Sequence, residues 1–215
     1  DSLRPLVGRA LAGLLVAGLP VALTVATAMH SNRVSIDFEG AGRGSLHPAS
    51  LLTVFVANLF GTDGPLKDFW GPPSPAWGPV DLYLARNMSD LYMGALPALA
   101  LLLVAACGLW REREIRFFLV GLLVALVYAL GRYTPAYWAI FHIPGADLFR
   151  RPADATFLVG FFAAVAAGYG AHRLIDDAAR PGWRAPLAAF GAILAAFALG
   201  GWLALDKGMW RVAAP

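Results

Sequence analysis

Five long stretches of this chain carry no charged side chain: Ala10–Met29, Leu91–Trp110, Phe117–Gly131, Ala155–Ala171 and Ala185–Leu205. At about 1.5 Å of rise per residue, runs of this length match a hydrocarbon core of about 30 Å. The third run is short, but Arg116 can snorkel to the headgroups and extend it. Charged residues make up 14% of the 215, against about a quarter in soluble domains. That leaves too little polar surface to cover five apolar helices in water. The chain is therefore expected to be all-α and polytopic, with about five transmembrane helices near 10–29, 91–110, 115–131, 155–172 and 185–205. It reads as one membrane domain over 1–215. Because it starts at Asp1 without a signal-peptide pattern, it is expected to be a fragment of a longer chain.

The charge pattern gives an orientation. Arg4 and Arg9 precede the first run, Arg111, Arg113 and Arg116 fill the link between the second and third, and Arg173, Arg180 and Arg184 crowd the link between the fourth and fifth. By the positive-inside rule these links are cytoplasmic, so the N-terminus is expected inside and the C-terminus outside. Loops 30–90 and 132–154 are then the outer loops. The seven tryptophans lie in loops or near run ends, as interfacial anchors do. A net charge of +3 without a basic stripe gives no nucleic-acid partner, and the single Cys107 excludes a disulfide within the chain. Membrane lipid is the expected neighbour.

Within the first outer loop, Pro48–Gly61 is apolar but too short to span, which predicts a re-entrant or interfacial helix with Pro48 in its first turn. The proline-rich segment after Gly61 cannot be regular helix or central strand.

Several residues are candidates for chemistry. Asp37 and Glu39 would share a face of an extended segment, where they can hold a divalent cation or act as a base. The alternative is a solvated loop. Arg150 and Arg151, where the second outer loop returns to the membrane, can grip a lipid phosphate or simply anchor the fourth helix. Tyr133, Tyr137 and Trp138 can line a substrate path or form an interfacial belt. His30, His47, His142 and His172 do not sit mid-helix, so neither haem nor a metal site is expected from them. Asn87-Met88-Ser89 matches a glycosylation acceptor pattern. No ionisable residue lies mid-span, which argues against an ion-coupled transporter.

The order of three segments resembles the bacterial YfhO-like membrane proteins, within the GT-C class of polytopic glycosyltransferases. SLHPASLLTVFVANLFG is similar to that family's segment of Ser-Leu-x-Pro, an apolar stretch and Phe-Gly. DLYMGALPALALLLVAA is similar to its Tyr-x-Gly-x-Leu-Pro approach to the next helix. ALGRYTPAYWAIFHIPGADLFRRPADATFLVGFFAAVAAGYGAHRL resembles its Thr-Pro, Pro-Gly and Phe-Arg-x-Pro order before a small-residue helix. Ala57 stands before Asn58 where the family often has proline. The resemblance covers about 45–174. It implies a bacterial cytoplasmic-membrane enzyme that uses a polyprenyl-phosphate sugar donor to modify an envelope glycan or lipid acceptor on the outer face. It also implies that the catalytic acidic residue, the base, lies on an earlier outer loop, with Asp37 and Glu39 the only local substitutes. The alternative is a non-catalytic scaffold or transport component.

Overall fold

The computed structural model describes residues 3–29, 36–61, 69–78, 90–143, 150–176 and 182–208. His30, Asn87-Met88-Ser89, Arg180 and Trp210 lie outside them. The described residues are helical or irregular, with no strand among them. They divide into two units, Asp1–Asp37 and Phe38–Pro215.

The first unit is essentially one helix, α1 (Leu3–Met29), which runs through Pro20. Its apolar side chains are exposed along the length, Leu15 at 81% and Val16 at 79%. Such a surface is stable only in lipid or against other apolar helices. Its two threonines do not oppose that setting. Thr24 Oγ1 donates to the Pro20 carbonyl and Thr27 Oγ1 to the Leu23 carbonyl, both at 2.8 Å. Each hydroxyl is thus satisfied inside the helix.

Among the described residues the second unit holds six further α-helices: α2 (Phe38–Gly42), α3 (Ala95–Ala106), α4 (Arg113–Leu130), α5 (Pro135–Phe141), α6 (Thr156–Ile175) and α7 (Arg184–Leu203). Four segments among the described residues are long and apolar enough to cross a membrane: Val7–Thr27, Arg113–Tyr133, Pro152–Ile175 and Arg184–Lys207. The protein is a multi-pass α-helical membrane protein.

The second expected span differs. Helix α3 has 12 residues, about 18 Å of rise, rather than the full run Leu91–Trp110. Glycines at both ends explain this: Gly94 at φ +100° precedes the helix and Gly108 at φ +71° follows it. Residues 91–94 are outside any helix, and a short 3-10 turn, Leu109–Arg111, completes the passage to α4.

Small residues set the helix packing. A Cβ at Gly121 of α4 would stand 2.6 Å from the Phe162 ring of α6, so only glycine admits that ring unmoved. A Cβ at Gly170 of α6 would overlap Val104 of α3. Ala129, Ala163 and Ala166 are almost fully buried. Close approach through glycine and alanine is how helices associate in lipid, where no hydrophobic drive separates helix from solvent.

The two ends of this unit are chemically different. At the start of α4, Tyr169 donates a hydrogen bond to Glu112, and Arg173 Nη2 donates to the same carboxylate at 2.9 Å. These bonds hold Glu112 below the ordinary carboxylate range, the tyrosine contribution being larger. Arg111, Arg113 and Arg116 cluster beside it in sequence, and Arg173 in space. At the opposite end of α4, about 27 Å away by helix length, the loop segments gather into a cap. Its core comprises Leu46, Leu91, Ala125, Ala129, Ala153, Ala155 and Val159. There, a helix does form within the expected Pro48–Gly61 segment: it is a 3-10 helix over Pro48–Val54, with Pro48 in its first turn. Thr53 in it is buried, and its hydroxyl accepts the Leu91 N–H at 2.8 Å, tying the cap to the approach to α3.

Candidate functional site

The cap end is assembled from segments far apart in sequence. Leu46 N–H donates to the Ala129 carbonyl at 2.8 Å, and Ala153 N–H donates to the Gly44 carbonyl at 2.9 Å. Ser45 Oγ donates to the Gly42 carbonyl at 2.6 Å and accepts the Arg132 N–H at 3.0 Å. Two glycines let the backbones approach. A Cβ at Gly44 would stand 2.6 Å from the Arg151 Cα, and one at Gly42 would stand 3.2 Å from the Arg132 Cβ. Arg43 lies between these glycines, so its segment is clamped on both sides.

These contacts shape a cleft of about 130 Å³ lined by Arg43, Ser45, His47, Pro72, Pro73, Ser74, Trp77, Arg132 and Tyr133. Its proline wall is held by the 69–78 segment. Trp70 N–H donates to the Phe60 carbonyl at 2.9 Å, and the Trp70 carbonyl accepts both Ser74 Oγ at 2.9 Å and Trp77 Nε1 at 2.8 Å. Phe60 is buried and meets the Trp70 ring edge-on at 4.9 Å.

His47 stands between two aromatic rings. Its centroid lies 4.9 Å from that of Trp77 and 5.1 Å from that of Tyr133, both edge to face. Its Nδ1 accepts the Ala49 N–H at 3.1 Å and so caps the 3-10 helix that Pro48 opens. Burial, and secondarily the charge of Arg132, hold its imidazole below the usual histidine range. The Arg132 guanidinium sits 5.3 Å from the Tyr133 ring centroid, with Nη2 3.4 Å from the Tyr133 hydroxyl. No carboxylate pairs with Arg132 among the described residues. Lys207 Nζ also lies near Trp77, 5.2 Å from its ring centroid. Among the described residues the lining thus offers two guanidiniums, the three hydroxyls of Ser45, Ser74 and Tyr133, and an imidazole, with no Asp or Glu.

The residues expected from sequence fall differently. Tyr133 lines the cleft. Tyr137 does not: it is buried among Phe38, Phe141 and Tyr128, and that burial raises its hydroxyl to about 12. Trp138 is exposed, its ring tilted against that of His142 with centroids 4.4 Å apart, and it is not among the lining residues. Arg150 is exposed, and neither it nor Arg151 is among the lining residues. Arg151 instead adopts a left-handed backbone at φ +63°, pressed against Gly44. Asp37 and Glu39 are both exposed, and Glu39 is in the first turn of α2. The extended geometry that would give the pair one shared face is therefore not adopted at Glu39. Among the described residues no group of His, Cys, Asp and Glu is arranged to hold a metal ion.

Arg43, His47, Trp77 and Arg132 are the residues that sequence reasoning missed as a site. Gly-Arg-Gly before Ser45 and Gly-Arg-Tyr after Leu130 were the available signals, an arginine beside a glycine in each. Comparison with protein-family models, with curated proteins and with solved structures finds no match.

Proposed function

We propose that this chain is the membrane-embedded part of a glycosyltransferase that takes a polyprenyl-phosphate sugar, with the Arg43–Arg132 cleft holding the donor phosphate. The observation that carries this reading is a cleft lined by Arg43 and Arg132, with no carboxylate among its described lining residues, at the end of a bundle of membrane-crossing helices. Guanidinium groups suit phosphate because they present fixed, charge-assisted donors. A cleft at the ends of the spans suits a ligand whose tail lies in the bilayer and whose phosphate lies at headgroup level. The resemblance of 45–174 to YfhO-like proteins of the GT-C class agrees with such a donor. The arginine-rich end then faces the cytoplasm, by the positive-inside rule, and the cleft faces outward.

In the transfer itself, an acceptor hydroxyl forms a bond to the anomeric carbon as that carbon's bond to the phosphate oxygen breaks. The hydroxyl proton passes to a base, and polyprenyl phosphate leaves with added negative charge. Cationic donors at that oxygen stabilise the charge as it develops. A second reading is a non-catalytic phosphate-lipid-binding scaffold or transport component, favoured by the absence of a carboxylate base among the described residues of the cleft lining. A radiolabelled polyprenyl-phosphate hexose offered to the intact protein in nanodiscs separates them. Saturable binding with transfer to an envelope glycan or lipid supports the enzyme. Binding without transfer across several hexoses and acceptors supports the scaffold, and no binding refutes both.

A further inference from the structure

The His47 ring is fixed from three directions before any ligand arrives. Ala49 N–H occupies the Nδ1 lone pair at 3.1 Å, while Trp77 and Tyr133 meet the ring at interplanar angles of 65° and 76°. In a neutral imidazole one nitrogen accepts and the other carries the proton. With Nδ1 accepting, the proton lies on Nε2. Protonating Nδ1 as well would set its N–H against the Ala49 N–H and break the helix cap. Burial and the nearby Arg132 charge oppose the imidazolium in the same direction. The ring is therefore a neutral donor of fixed tautomer, and Nε2 has no hydrogen-bond partner among the described residues.

We infer that His47 is a ligand-binding residue that donates Nε2–H to an oxygen of the phosphate held between Arg43 and Arg132. The inference rests on the phosphate reading of the cleft and adds a specific role to it. The side of the ring that carries Nδ1 is committed to the cap, so the opposite side, with Nε2, is what the lining can offer a ligand. A neutral donor complements the guanidiniums. It adds a directional bond without adding a third cation to a cleft that already holds Arg43 and Arg132, with Lys207 near Trp77. It also discriminates, because Nε2–H can donate but not accept. A phosphate oxygen satisfies it, whereas a ligand presenting only a donor at that point does not.

The cap and the ligand bond can be separated by substitution. Asparagine is a strong cap, and its side-chain oxygen can take the place of Nδ1, but it is too short to reproduce Nε2. His47→Asn should keep the thermal midpoint of the wild type while weakening binding of polyprenyl phosphate roughly ten- to a hundredfold, the effect of one hydrogen bond to a charged group. His47→Ala should lose both. The binding probe is a long-chain polyprenyl phosphate in phosphatidylcholine nanodiscs, compared with the uncharged polyprenol and competed with inorganic phosphate.

Wild-type affinity in His47→Asn would overturn the inference and leave His47 a structural cap, with the phosphate reading intact. A wild type that does not distinguish polyprenyl phosphate from polyprenol would overturn the phosphate reading, and this inference with it. Displacement by inorganic phosphate, itself weakened in His47→Asn, would support the donor role and assign the anion to a soluble source. Should His47→Asn fail to fold, the wild type labelled with ¹⁵N-histidine gives a second test. An Nε2–H tautomer whose resonance shifts on adding polyprenyl phosphate supports the inference, and an unmoved resonance contradicts it.

Discussion

The hydroxyl of Ser45 accepts the backbone N–H of Arg132 at 3.0 Å. One donor–acceptor pair thus fixes the loop after α2 against the end of α4 and sets the base of the Arg132 side chain. The same hydroxyl donates to the Gly42 carbonyl at 2.6 Å, so both its hydrogen-bonding functions are used.

Ser45→Ala should lower stability by about 0.5–1.5 kcal/mol, because the Arg132 N–H loses its protein acceptor at an exposed position where water takes its place. Thermal unfolding in nanodiscs reads this directly. An unchanged midpoint would mean that the bond does not hold the cap together.

Contact between α4 and α6 rests on glycine. Gly121→Ala puts a Cβ where it would lie 2.6 Å from the Phe162 ring, so ring or helix must shift, at a cost of about 1–3 kcal/mol. In the Phe162→Ala background the same Gly121→Ala change should cost much less, because the obstructing ring is gone. Equal costs in the two backgrounds would refute the ring-against-glycine contact.

Glu112 gives a pH prediction. Its folded value lies below the ordinary 4.5, because Tyr169 and then Arg173 donate to its charged form. The unfolded state therefore binds more protons in that window, and stability rises with pH. The contribution is complete above 4.5 and is lost as pH falls through the lowered folded value. Midpoints measured from pH 7 down to about pH 3 should fall more steeply for wild type than for Glu112→Gln. Parallel curves would show that this carboxylate does not clasp α6 to the start of α4.

The helices were largely legible because lipid exposure writes itself into composition. Ala185–Leu205 became Arg184–Leu203, and Phe117–Gly131 became Arg113–Leu130 once the arginines were free to extend the helix. Leu91–Trp110 misled, since hydropathy does not register the backbone freedom that Gly94 and Gly108 use at positive φ. The cleft was hardly legible at all. Arg43, His47, Trp77 and Arg132 come from separate segments, joined by bonds such as Ser45–Arg132 and Leu46–Ala129 that have no local signature. The adjacent pair Arg150-Arg151 drew attention by sequence alone, while the fold uses Arg151 for its backbone against Gly44.

Because the cleft's attraction for an anion is electrostatic, its binding should weaken as ionic strength rises. Titration of polyprenyl phosphate at low and physiological salt checks this. Affinity independent of salt would point to recognition of the isoprenoid tail alone.

The most direct measurement is equilibrium binding of polyprenyl phosphate to the intact protein in nanodiscs, with wild type, Arg132→Gln and Arg150→Ala compared side by side. Arg132→Gln keeps the backbone bond to Ser45 and removes only the charged head. The account predicts a roughly ten- to hundredfold loss for Arg132→Gln and near wild-type affinity for Arg150→Ala. Unchanged binding in Arg132→Gln, or a loss confined to Arg150→Ala, would contradict it.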